Sequence, residues 1–106
     1  MKFKNYKFII SPSTRINKKF MVVISNHKFK KTIHFGQKGF SDYTIHKDYD
    51  RMLRYSKRHE KNEDWDNILT AGFWAKWVLW NKPSFRDSIK DIESRKNIKI
   101  YIKKGI

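Results

Sequence analysis

Apolar and polar residues alternate along the first third of the chain. Tyr6, Phe8 and Ile10 fall on the opposite side from Lys7 and Ile9, a period of two that predicts a strand ending at the turn signal Ser11-Pro12-Ser13. The run KKFMVVIS, residues 18–25, predicts a second, β-branched strand with Phe20, Val22 and Ile24 on one face. The run KFKKTIHFG, residues 28–36, places Phe29, Lys31, Ile33 and Phe35 on one face and stops at Gly36. Loops this short favour antiparallel pairing of the three. Gly36 and Gly39 mark the loop where the chain leaves the sheet.

The period then changes from two to 3.6. Residues 45–61 predict a helix opened by Ser41 or Thr44, with Ile45, Tyr49, Met52, Leu53 and Ser56 on a face to be buried. Opposite them, Lys47, Arg51, Arg54, Arg58 and Lys61 lie within about 40° of a common line, flanked by Asp50 and Lys57. The acidic and polar stretch EKNEDWDN, residues 60–67, predicts a loop or a helix entrance. Leu69–Trp80 is helical again, with Leu69, Phe73, Trp77 and Trp80 on one stripe that Trp74 and Val78 widen, and Ile68 and Leu79 on the far side. A helix apolar nearly all round is a buried one. Asn81-Lys82-Pro83 breaks it. Ser84 with Asp87 reads as a capping box for a third helix to Lys96, with a stripe of Phe85, Ile89 and Ile92 and an Asp91–Arg95 pair. The alternation of Ile98, Ile100 and Ile102 in residues 97–104 predicts a last strand. The fold class is therefore α+β: a small antiparallel sheet of three to four strands against three helices, in the order β-β-β-α-α-α-β. No repeat or linker divides residues 1–106, so one domain is expected.

Charge changes the picture once it is located. Residues 1–41 hold ten Lys or Arg and no acid, residues 42–96 hold twelve basic and ten acidic residues, and residues 97–106 add three lysines. The two ends thus carry +13 of a net +15. So uneven a field attracts polyanions. Lys outnumbers Arg 19 to 6, with 13 Ile and 7 Asn, which is the signature of an AT-rich genome. Codon bias inflates lysine but does not remove the acids from residues 1–41. With no cysteine, disulfides, Cys-ligated zinc and thiol nucleophiles are excluded. The longest apolar run, Phe20–Ile24, is far short of a membrane span, and MKFKNYKFII has no signal-peptide h-region. Membrane insertion and secretion are not expected.

The sharpest candidate chemistry is the basic stripe. Cations without an intervening acid suit phosphates, and counterion release supplies affinity without sequence information. Lys18, Lys19, Lys30 and Lys31 of the predicted sheet extend the candidate contact. The bland alternative is a solvated helix face. Three tryptophans in GFWAKWVLW, residues 72–80, would suit base stacking. They span about 120° of the helix and merge with Leu69, Phe73 and Val78, so core packing is the better reading. Lys76 flanks them, its stem set to lie over Phe73 and Trp80. His27, His34, His46 and His59 show no metal spacing. Glu60, Glu63, Asp64 and Asp66 are the one plausible divalent-metal cluster. No phosphate-cradling glycine loop, catalytic triad, cofactor motif or small-molecule site is discernible.

The motifs FGQKGFSDYTIHKD, RYSKRHEKNEDWD and LTAGFWAKWVLWNKP carry a resemblance over residues 33–92. They resemble a family of small, uncharacterised basic proteins of large DNA viruses of algae and protists, the nucleocytoplasmic large DNA viruses. The resemblance implies a viral protein of the host cytoplasm or nucleus (the viral factory), or one packaged in the virion, and supplies no assigned catalytic residues to carry over. The resulting expectation is a non-enzymatic, sequence-nonspecific nucleic-acid-binding protein, with DNA favoured over RNA. The alternative is a minor capsid or cement protein whose basic faces meet acidic capsid proteins. A metal-dependent nuclease using the acidic loop is the third reading.

Overall fold

A computed structural model describes residue 3 and residues 5–103. Four strands form a sheet: β1 (Lys7–Pro12), β2 (Lys18–Ser25), β3 (Lys30–Gln37) and β4 (Ile100–Ile102), in spatial order β3-β2-β1-β4. The hairpin registers Phe8↔Ile24, Ile10↔Val22 and Val22↔Ile33 bring the alternating apolar residues onto one buried face. On the other face Ile9, Met21 and Val23 stay half-buried. The first strand ends within the Ser-Pro-Ser signal, at Pro12, with Ser11 and Pro12 still paired with Met21 and Phe20.

The α+β class holds, but the sheet is mixed rather than antiparallel. β4 runs parallel to β1, with Phe8 opposite Ile100 and Ile10 opposite Ile102. Alternation gives a strand but not its direction, which here follows from where the chain leaves α4 (Phe85–Lys96) beside the distant β1. Asn97 adopts the left-handed conformation (φ 53°) after α4, and the amides of Asn97 and Ile98 both donate to the Glu93 carbonyl. The Glu93 carboxylate then accepts the Ile100 amide at 2.8 Å. β4 is shorter than expected. Ile100 is buried, Ile98 half-buried and Ile102 exposed, while Lys104 lies outside the described residues. In α4 most expected features are present: Ser84 accepts the Asp87 amide, the one half of the capping box that forms, Ile89 and Ile92 are buried with Phe85 half-buried, and Arg95 Nε donates to Asp91 at 2.6 Å.

The tryptophan segment packs across the inner face of the sheet. Thr70 caps α3 (Ala71–Trp74) by accepting the Phe73 amide. The helix continues as a π-helical turn, Ala75–Leu79. Trp74 is fully buried against the rings of Phe8, Phe35 and Phe73, and its Nε1 donates to the Ile68 carbonyl at 2.8 Å. Ile68 and Leu79, expected on a far side, are buried as well. Ile68 precedes the helix in a turn, and the wider π spacing breaks the 100° progression that assigned Leu79 its face.

The expected helix over residues 45–61 is two helices. Asp42, rather than Ser41 or Thr44, caps α1 (Tyr43–His46) by accepting the Thr44 amide. Lys47 then turns left-handed (φ 56°), and Asp48 caps α2 (Tyr49–His59) by accepting the Arg51 amide. His46 Nδ1 receives the Asp48 amide at 2.9 Å and secures the break. The break rotates α2 onto a different face. Met52 is buried and Tyr55, Ser56 and His59 are half-buried, whereas Ile45 (61%), Tyr49 (59%) and Leu53 (45%) are exposed against expectation.

Two glycines separate conformational from spatial constraint. Gly36 has φ +82°, and an added Cβ would lie 2.8 Å from Leu79 Cδ1 and 3.2 Å from Lys19 Cβ. Gly36→Ala should therefore lower stability by about 1–3 kcal/mol, read from a urea midpoint. Gly72 has an ordinary helical φ, and an added Cβ would displace only the carboxylate end of Glu63. Gly72→Ala should leave stability unchanged or raise it by up to about 1 kcal/mol. Equal losses at both positions would contradict this assignment.

Candidate nucleic-acid interface

α2 supplies the guanidinium groups. Arg51, Arg54 and Arg58 are exposed, with Arg51 and Arg58 about 10.5 Å apart by helical rise. Among the described residues, ion pairs join Lys19 to Asp42, Arg95 to Asp91 and Lys96 to Asp66, and none involves a cation of α2. Asp48, the nearest acid in sequence to Arg51 apart from Asp50, has an oxygen occupied as the cap of α2. The arginines are thus solvated charges available to an external anion.

The other expected contact residues divide. Lys47 leaves the stripe, because the break puts it outside α2 and its Nζ donates to the carbonyls of Pro83 (2.6 Å) and Thr44 (3.0 Å). Lys61 lies just beyond α2 and is exposed. Lys19 is spent on Asp42 at 2.6 Å, while Lys18 beside it is half-buried. Lys30 and Lys31 are exposed at the opposite end of β3, roughly 23 Å from Gln37, the partner of Lys18. The sheet lysines therefore form two separate sites, and only the Lys18 end adjoins α2.

At that end, α2 and the ends of β2 and β3 enclose a cleft of about 570 Å³. Arg51 and Arg58 line one wall, Lys19, Gly36 and Gln37 another, and Leu79 with Trp80 the base. Gly36 permits the close approach of Leu79 described above. A column of rings sets the position of α2. His59 stacks on Tyr55 at 4.2 Å, Tyr55 on Trp80 at 4.0 Å with an interplanar angle of 2°, and His46 leans on Trp80 at 5.4 Å. Burial, reinforced by the charge of Glu63 and opposed by Arg58, pushes the Tyr55 phenol up to about 12. Near the same sheet end, partial burial and the charges of Arg15 and Lys18 hold His34 below the usual imidazole range, and its Nδ1 lies 2.7 Å from the Ser13 hydroxyl.

Lys76 is the second tie to α2. Its Nζ donates to the Ser56 hydroxyl at 2.8 Å and to the Trp80 carbonyl at 3.3 Å. The ammonium sits 5.0 Å from the Trp65 ring and 5.3 Å from the Trp77 ring. Burial, aided by Arg95, lowers its pKa. The tryptophans offer no open stacking platform. Trp74 is sealed in the core, Trp77 carries the Arg95 guanidinium at 4.1 Å and donates to the Trp65 carbonyl, and Trp80 is covered by Tyr55.

The acidic stretch is spread out. Asp64 accepts the Asp66 amide, Asp66 meets Lys96 at 3.8 Å, and Glu63 points to Gly72. Among the described residues, no three His, Asp or Glu side chains come together in a way that could hold a metal ion. No helix among them is long and apolar enough to cross a membrane.

A family model described as a family of unknown function (DUF5754) matches residues 8–59, from the start of the sheet to the end of α2. The matched stretch includes Arg51, Arg54 and Arg58 and the N-caps Asp42 and Asp48, and omits the tryptophan segment. No curated protein and no solved structure matches the chain.

The Tyr55 environment has a measurable signature. A phenol with a raised folded pKa contributes stability that is full below its ordinary value of 10.0 and is lost as pH rises toward about 12. Over that interval, wild-type urea midpoints should fall more steeply than those of Tyr55→Phe. Parallel curves would show that folding does not raise the pKa of this phenol.

Proposed function

We propose that the protein is a non-enzymatic, sequence-nonspecific nucleic-acid-binding protein, acting on DNA in preference to RNA, that grips phosphates through α2. The observation that carries the reading is the set of Arg51, Arg54 and Arg58, exposed together and without a carboxylate partner among the described residues. Guanidinium groups meet phosphate oxygens in a bidentate geometry, and each phosphate neutralised releases condensed counterions. α2 carries no Asn or Gln to pair with adenine edges, which favours backbone over base contacts. Lys57 and Lys61 extend the same field. A viral setting, with action in the viral factory or the virion, rests on the family resemblance alone.

A second reading has its own observation. Ile45, Tyr49 and Leu53 are exposed beside the cations, and phosphate offers nothing to cover them. An acidic protein surface with apolar residues, such as a capsid protein would present to a cement protein, would meet both features.

The two readings separate in one titration series. Duplex DNA affinity should fall steeply with salt, and replacing Arg51, Arg54 and Arg58 by Gln should reduce the slope of log affinity against log salt by about 2.7. The circular dichroism of the triple variant should match wild type, since none of the three side chains packs in the core. An unchanged slope would remove α2 from the interface. Absent DNA binding together with retention on purified capsid protein would favour the second reading.

A further inference from the structure

We propose that the cleft beneath α2 accepts one unpaired nucleotide, so that the protein prefers single-stranded nucleic acid to duplex. This rests on the phosphate-binding reading above and specifies the form of its ligand. At about 570 Å³ the cleft falls within the range of small-ligand sites, and unlike the shallower hollow of about 470 Å³ along Arg54, Lys57, Arg58, Glu60 and Lys61 it has an apolar base. Its base is apolar, from Leu79 and the edge of Trp80, and suits the flat body of a base. Its walls hold polar groups that bond to no other group of the protein among the described residues. Among the described residues, the side chains of Gln37 and Ser41 and the Tyr55 hydroxyl have no hydrogen-bond partner, although each borders the cavity. These are the groups that would meet the edge of an inserted base.

The charges at the rim complete the match. Asp42, the carboxylate within the cleft, is neutralised by Lys19 and accepts the amide and hydroxyl of Thr44, so it repels no anion. Arg51 and Arg58 stand two helical turns apart on the same wall, placed to hold the phosphates on either side of an inserted nucleoside. A paired base cannot enter without leaving its stack, and this cost falls on duplex alone.

The test compares single-stranded and duplex oligonucleotides of equal length by fluorescence anisotropy. Wild type should bind the single strand about tenfold or more tightly, because a duplex must first unpair a base to fill the cleft. Ser41→Trp and Gln37→Trp, which obstruct the cavity from different positions, should each erase the preference by weakening single-strand binding only. Arg54→Gln, outside the cavity, should weaken both ligands alike. Equal affinities for wild type, or a preference that survives both obstructing variants, would overturn the cleft proposal while leaving phosphate binding by α2 intact. Binding to neither ligand would overturn both.

Discussion

Trp74 can be buried completely because its one polar atom has a destination. An indole N–H inside a core without an acceptor carries the full cost of desolvation, and the Ile68 carbonyl removes that cost. The bond has two structural effects. It fixes the turn before α3 so that Ile68 itself becomes part of the core, and it orients the ring between Phe8 and Phe35 of the sheet. Strands and helices share one hydrophobic centre through this side chain. The π-helical turn that follows then delivers Val78 and Leu79 to the same layer and leaves Trp80 at its edge.

That edge position governs α2. Trp80 offers one face to Tyr55 and approaches His46 on the way into the helix break, so the core's last ring is also the seat of the arginine-bearing helix. The cap at Asp48 and the left-handed Lys47 select which side of α2 reaches that seat. Arg51 and Arg58 are consequently on the flank facing the sheet end, and Tyr49 and Leu53 are left in water. The electrostatic surface is thus a product of one backbone reversal.

Local order was largely legible in the sequence. The strands, α4 with its Ser84 cap and Asp91–Arg95 pair, and the burial of the tryptophan segment all follow from periodicity and short-range chemistry. Features that depend on competition between local signals were not. Residues 45–61 satisfy a helical period throughout, and nothing in that period reveals that Asp48 caps a new helix instead of sitting inside an old one. Lys47 consequently entered the stripe on paper and left it in space. The π spacing, the parallel direction of β4 and the walls of the cleft depend on contacts between segments far apart in the chain, such as Leu79 against Gly36. The spacing of Arg51, Arg54 and Arg58 along α2 was legible because it needed only the helix that carries them, whereas the direction they face was not.

The attachment of α2 has a further consequence. One buried methionine, a column of stacked rings and a lysine–serine hydrogen bond hold it, whereas the sheet and the tryptophan segment share a continuous apolar core. Free energies of local opening follow such differences in buried contact. Backbone amides of α2 should therefore exchange with solvent through excursions that leave the rest of the molecule folded. The arginines are carried on an independently yielding unit, and any ligand spanning it and the sheet end would register first as slowed amide exchange in that helix.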